Sequence, residues 1–233
     1  NLTYGDFTFT DFTPHMKEFM DKWQKLGLAY DAIYSGFLAD AGQIGVVLDA
    51  ISRFAGKDTL VVVDPAMADD GKLYPVFKPD MVTEMKKLIT AATVVTPNYT
   101  EACLLTDRPY ENKPATTDEL LSLCHSLADM GPKQVVITSV PSEEGAIRIA
   151  CFDAREGTYT DYKVKRIPFA TCGTGDLFTS VVTGSLLSGK SLAEAVKKAA
   201  SFLSYAIEYT YKQGSDYREG VQVEPCLAKL WEN

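Results

Sequence analysis

Long apolar runs are missing from this 233-residue chain, and none approaches the ~20 residues that a membrane-spanning helix needs. Basic clusters are missing too. Lys and Arg number 23 against 31 Asp and Glu, a net charge of −8. That argues against a nucleic-acid partner, because phosphate contacts need grouped cations. No basic amphipathic helix of the membrane-surface kind is present either. Histidine is scarce: His15 and His125 both fall in helical pattern and read as ordinary helix residues rather than metal ligands. The five cysteines (103, 124, 151, 172 and 226) are scattered, odd in number and form no C-x-x-C. This suits a reducing, cytoplasmic setting better than a disulfide framework. No low-complexity linker and no internal repeat divides the chain, so residues 1–233 read as one domain. No charged n-region followed by an apolar h-region opens the chain. Residue 1 is Asn, and Leu2/Tyr4 and Phe7/Phe9 alternate like two short strands around Gly5-Asp6. The natural N-terminus is therefore expected upstream.

What is present is apolar periodicity, with 46% hydrophobic residues, enough for a large core. Thr13-Pro14 starts a helix that Gly27 stops, with Phe19, Trp23 and Leu26 on one face. A strand at 32–34 ends at Ser35-Gly36, and a helix follows over 41–55. Residues 60–63, LVVV, form a continuous apolar run, the mark of a strand buried on both faces. A Gly/Pro/Asp-rich loop reaches Pro79; then come a helix over 80–91, a strand at 93–95 and a short helix over 98–105. Thr116 to Glu119 is a capping box for a helix reaching Met130. A strand at 134–137 is followed by a hairpin, 145–152 with 158–164, and helices over 175–188 and 192–212. Strand–helix alternation predicts an α/β fold: a mostly parallel sheet with helices on both faces and a small antiparallel piece near residue 150. In such sheets ligands sit beyond the carboxyl ends of the strands.

At one such end stands Thr171-Cys172-Gly173-Thr174-Gly175-Asp176. Without Cβ atoms, Gly173 and Gly175 let the backbone approach a ligand closely. The helix that follows offers unpaired N–H groups and the positive end of its dipole, an anion site that needs no lysine. A carboxylate in a phosphate site is out of place unless it takes a proton from an attacking hydroxyl. The competing reading is that Asp176 only complements the helix dipole. A second phosphate-loop pattern, Gly184 to Ser191, matches G-x-x-x-x-G-K-S, but helical spacing precedes it where a strand is required. Gly189 as a helix stop and Ser191-Leu-Ala-Glu194 as a capping box explain it better.

From about Tyr30 to about Phe202 the chain resembles the ribokinase-like small-molecule kinases, and within them the pyridoxal/pyridoxamine (vitamin B6) kinases. The motifs are Ser35-Gly36-Phe37-Leu38, Asp64-Pro65-Ala66-Met67-Ala68-Asp69 with Gly71 and Tyr74, Thr96-Pro97-Asn98-x-x-Glu101, Thr138-Ser139, and Gly173-Thr174-Gly175-Asp176. The resemblance implies a ribokinase-like three-layer sandwich and phosphorylation of the 5′-hydroxymethyl group of a B6 vitamer by ATP. It implies Asp176 as the base and the amides of Gly173, Thr174, Gly175 and Asp176 as the anion hole, with Thr174 also at the nucleotide. Asp64 and Glu101 would organise Mg²⁺, through water, with Asn98 beside them. Asp69 and Tyr74 would meet ATP phosphates and a monovalent cation such as K⁺, Thr138 and Ser139 would touch the nucleotide, and Phe37 would pack near the pyridine ring. Plainer readings stand beside these: Asn98 and Glu101 have capping-box spacing, and Asp64-Pro65 suits a strand-ending turn. A homodimer is implied as well.

The likeness has gaps. Ala66 and Ala68 replace the Val and Gly usual around Met67. The family's first strand and its Thr/His/Gly-rich substrate loop have no counterpart in these residues, so substrate identity rests on Phe37 and Asp176. Related pyrimidine kinases of thiamin synthesis typically carry Cys where Asp176 stands; a hydroxymethylpyrimidine kinase is the alternative reading. A non-catalytic B6 or nucleotide sensor would need a lost base or metal organiser, and Asp176, Asp64 and Glu101 are all present. Cys172 lies where a helix N-terminus would activate a thiol, and some relatives trap aldehydes with a nearby cysteine; the plainer reading is a small filler.

Overall fold

The computed structural model describes residues 4–6, 8, 10–143 and 145–231. A six-stranded sheet runs through the centre. It comprises β1 (Ala32–Ser35), β2 (Leu60–Val63), β5 (Val94–Val95), β6 (Gln134–Pro141), β7 (Ala146–Asp153) and β8 (Thr158–Lys165), hydrogen-bonded in that order. The first four strands are parallel, and β7 and β8 turn back antiparallel in register over eight residue pairs. The loop after β2 folds into a separate two-stranded piece, β3 (Ala68–Asp69) with β4 (Lys72–Leu73). The two short strands expected around Gly5-Asp6 depend on Leu2, Phe7 and Phe9, which lie outside the described residues.

Period-two alternation sorts side chains to the two faces of the sheet. Val135, Ile137, Ala150 and Phe152 pack with α2 (Ala41–Phe54), α3 (Asp80–Thr90), α4 (Tyr99–Leu105) and α5 (Thr117–Asp129). Val136, Ile149 and Cys151 face Phe178 and Val182 of α6 (Thr174–Leu187) and Leu192 to Ala200 of α7 (Leu192–Lys212). The result is a helix–sheet–helix sandwich with the parallel core that the LVVV run predicts. The helix starts follow the predicted chemistry. Thr116 and Glu119 bond reciprocally at the head of α5, and Ser191 and Glu194 do so at the head of α7. Gly189, at φ +81°, ends the turn after α6. The Walker-like stretch is thus a helix end and a helix start, with no strand feeding it.

The apolar face of the first helix stays largely open. On α1 (Thr13–Lys25) the buried residue is Met20, whereas Phe19, Trp23 and Leu26 are 48%, 40% and 72% exposed. Helix α1 packs on α2 at the margin of the molecule rather than on the sheet, so its aromatic stripe has only edge partners. Phe12, Phe19, Trp23, Tyr30 and Phe54 form a chain of ring contacts there, 5.6–6.4 Å between centroids. Beyond α7, two 3-10 segments, Tyr217–Glu219 and Glu224–Leu230, close the described chain. Among the described residues no helix is long and apolar enough to cross a membrane.

Candidate active site

The carboxyl ends of the parallel strands bring the predicted residues to one edge. Backbone bonds lock the ends together. Asp64 N donates to Ser35 O at 2.8 Å, Thr96 N to Val63 O at 3.0 Å, and Thr138 N to Pro97 O at 2.9 Å. An isolated parallel bridge also joins Asn98 to Thr138. Just past it the β6 register breaks between Ile137 and Val140, and Ser139 takes φ +54°, unusual for a residue with a Cβ. The bulge leaves Ser139 exposed beside half-buried Thr138.

The GTGD turn meets this edge from the opposite layer. Gly173 caps α6 in the left-handed region, φ +79°, with no side-chain cap. No side chain caps the amides of Thr174, Gly175 and Asp176, and Leu177 N bonds to Gly173 O at 3.1 Å. An uncapped terminus of this kind is a ready anion site. Thr171 Oγ1 donates to Tyr217 O at 2.6 Å, and Cys172 Sγ to Arg218 O at 3.7 Å, which ties the turn to the 3-10 segment after α7. Beside it opens a groove of about 620 Å³ lined by residues 168–170 and 214–217.

Asp176 is exposed on the first turn of α6, and its Oδ1 accepts from the Tyr34 hydroxyl at 3.2 Å. It forms no ion pair with any described residue. Asp64 lies close by: a Cβ placed on Gly175 would fall 3.4 Å from its Oδ2. Only 6% of Asp64 is exposed. Burial first, and then the negative charge of Asp176, push its carboxyl up to about 7, while the Thr179 hydroxyl pulls it back in part. Thr179 also shares a 3.0 Å hydroxyl contact with buried Thr96.

Glu101 is more deeply buried, and its oxygens are largely committed. Oε2 accepts from Asn98 N at 2.8 Å, and Oε1 from Met67 N at 2.9 Å and Ala68 N at 3.3 Å. Asn98 Oδ1 accepts from Glu101 N and its amide donates to Ala68 O at 2.7 Å. The capping box is therefore real, and it also clamps the loop after β2. Burial and the Asp64 charge raise the Glu101 carboxyl to about 8 against the three amides. Half-buried Tyr74 hangs from the same loop, its N donating to Met67 O at 2.9 Å. Its phenol is shifted upward by burial and then by the negative charges of Glu101, Asp69, Asp64 and Asp176. Asp69 is exposed at the end of β3, and Gly71 beside it packs against the Tyr110 ring at φ +78°. Phe37 is exposed, and its ring meets that of Phe77 at a tilt of 34°, 5.3 Å between centroids.

Two residues at this edge, Tyr34 and Thr179, went unread in the sequence, and Ser35 was read only as part of its motif. Tyr34 and Thr179 reach the two aspartates only through strand and helix placement. The Ser35 hydroxyl is buried with no partner among the described residues, an anomaly that only coordinates reveal. No three His, Cys, Asp or Glu side chains among the described residues gather into a metal cage. Magnesium does not require one, since it takes one or two carboxylates together with phosphates and water. Asp64, buried beside a second negative charge and without a cationic partner among the described residues, is a donor that fits this pattern. Glu101 has little lone-pair capacity left, so it fits only an indirect role.

Comparison with known proteins agrees with the fold. A protein of Bacteroides thetaiotaomicron described as a phosphomethylpyrimidine kinase, in its crystal form with pyridoxal, superposes at TM-score 0.95 with 39% identity, over 100% of this chain and 82% of that one. Pyridoxal kinase of Lactobacillus plantarum superposes at 0.87 with 30% identity, over 98% and 81%. Among curated proteins, the pyridoxal kinase PdxY of Rubrobacter xylanophilus is 30% identical over 79% of this chain and 63% of its own length. The chain thus spans about three fifths of such relatives' length. The architecture is that of the ribokinase-like α/β fold. The sequence profile described as phosphomethylpyrimidine kinase matches residues 18–220, and with a match of that extent the chain belongs to that family.

Proposed function

We propose that the protein transfers the γ-phosphoryl group of ATP to the 5′-hydroxymethyl group of a B6 vitamer: pyridoxal, pyridoxamine or pyridoxine. The observation that carries this reading is Asp176, an exposed carboxylate without an ion pair among the described residues, at the mouth of an uncapped helix terminus. Its place on α6 suits a base that takes the alcohol proton while the amides of residues 173–176 receive the moving phosphoryl oxygens. Phosphoryl transfer needs little covalent chemistry from a protein and much positioning of charge. Here Asp64 would hold Mg²⁺ that comes with ATP, neutralising charge as the phosphoryl departs. Glu101 and Asn98 keep the loop carrying Asp69 and Tyr74 against the phosphates, and K⁺ is the monovalent cation those two residues would suit. Thr138, Ser139 and Thr174 would meet the nucleotide, and the groove beside residues 168–170 has the volume for its base and ribose. Phe37, backed by Phe77, offers a ring face to the pyridine.

Relatives support the substrate class. One neighbour was solved with pyridoxal, and the pyridoxal kinase of Staphylococcus aureus, 25% identical with TM-score 0.71, was solved with ADP. The family description favours a second reading, a hydroxymethylpyrimidine kinase. The two separate in one experiment on the full-length protein: ADP release with pyridoxal, pyridoxamine, pyridoxine and hydroxymethylpyrimidine in parallel. Turnover with a B6 vitamer well above that with the pyrimidine is expected; the reverse order would install the second reading, and no turnover with any would leave a binding protein. A cytoplasmic homodimer completes the proposal, and light scattering on the purified protein tests the dimer.

A further inference from the structure

The Asp176 carboxylate has one hydrogen-bond partner among the described residues, the Tyr34 hydroxyl on Oδ1. A carboxylate at that position only accepts, so the phenol donates. The two side chains are 142 residues apart in sequence, one near the end of the edge strand β1 and one on the first turn of α6. Gly36 makes their approach possible, since a Cβ there would lie 3.0 Å from Asp176 Oδ1 and 3.2 Å from the Tyr34 hydroxyl. The ring of Tyr34 is half-buried, which limits where its hydroxyl can go. Oδ2 of Asp176 accepts from no described residue.

We propose that Tyr34 is a positioning residue for Asp176: its hydroxyl holds Oδ1, fixes the rotation of the carboxylate, and leaves Oδ2 turned to the alcohol. This rests on the reading of Asp176 as the base. A carboxylate on an exposed first turn otherwise samples several rotations, and only some direct a lone pair along the O–H bond of the acceptor. Fixing one oxygen removes that freedom before substrate arrives. Tyr34 touches neither proton nor phosphoryl in this role; it acts through Asp176 alone.

The test is a double-mutant cycle in the full-length protein, with Tyr34→Phe, Asp176→Asn and the pair, read as steady-state ADP release with pyridoxal. Tyr34→Phe keeps the ring and is expected to lower kcat about tenfold or more, as loss of a hydrogen bond to a charged group does, with both KM values within about twofold. On the Asp176→Asn background the same change is expected to do nothing further, because the group it positions is gone. An unchanged kcat in Tyr34→Phe overturns the inference, as does an equal loss on both backgrounds, which marks a general packing role. Near-normal turnover of Asp176→Asn itself overturns the base assignment beneath it, a separate result. Should Tyr34→Phe lose its cooperative thermal transition, Gly36→Ala, which intrudes on the contact from the backbone side, takes its place in the cycle with the same expectations.

Discussion

Replacing Asp64 with Asn should make the ligand-free protein more stable and abolish the proposed phosphoryl transfer. A carboxylate pushed up to about 7 from 3.8 is bound to its proton in the folded state over a range where the unfolded chain has released it. A group whose folded pKa is raised contributes its stability at low pH and loses it as pH climbs through the folded value. For Asp64 that window runs from about pH 4 to about pH 7. Relative to a neutral side chain, the native protein is penalised by roughly 2 kcal/mol at pH 5 and roughly 4 kcal/mol at pH 8, at about 1.4 kcal/mol per pH unit. Asn is neutral and of the same shape, so the stabilisation it confers should be larger at pH 8 than at pH 5 by roughly 2–3 kcal/mol. In a chain of this size that is about 4–10 °C in Tm. Thermal unfolding of native and Asp64→Asn proteins with EDTA at both pH values reads the difference, and ADP release reads the lost activity. A Tm difference that is the same at both pH values, or a variant less stable at both, would refute the account of Asp64 as a buried, electrostatically frustrated acid.

Other outcomes follow from the same geometry. Asp176→Asn should lower kcat by about 10²–10⁴ while the far-ultraviolet circular dichroism is retained. Lys190→Ala, in the Walker-like stretch, should leave ATP turnover within about twofold, since the residue lies between two helices; a loss of nucleotide binding would restore the phosphate-loop reading. Ser191→Ala should lower stability by about 1 kcal/mol through loss of the α7 cap, measured by urea unfolding, without changing kcat. Gly71→Ala faces both φ +78° and the Tyr110 ring 2.6 Å from the new Cβ. It should distort the β3–β4 loop and raise the KM for ATP more than that for the vitamer.

Much of this was written in local chemistry. The LVVV run, the capping boxes at Thr116 and Ser191, and the glycine at 189 announce their elements because each depends on neighbours within four residues. TCGTGD announces a helix terminus for the same reason, and its aspartate is conspicuous because a phosphate site disfavours negative charge. The fate of α1 was not announced. Its apolar stripe has the period of a buried face, but periodicity records amphipathicity and not which surface the helix meets, and α2 offers α1 only an edge. Which groups surround Asp176 and Asp64 depends on residues up to 142 apart. Strand order sets Tyr34 under the head of α6, the β6 bulge sets Ser139 at the same rim, and burial raises the Asp64 carboxyl above that of an ordinary turn aspartate. Contacts of that range are absent from any window of sequence, because they come into being when the sheet closes and water leaves the edge where its strands end.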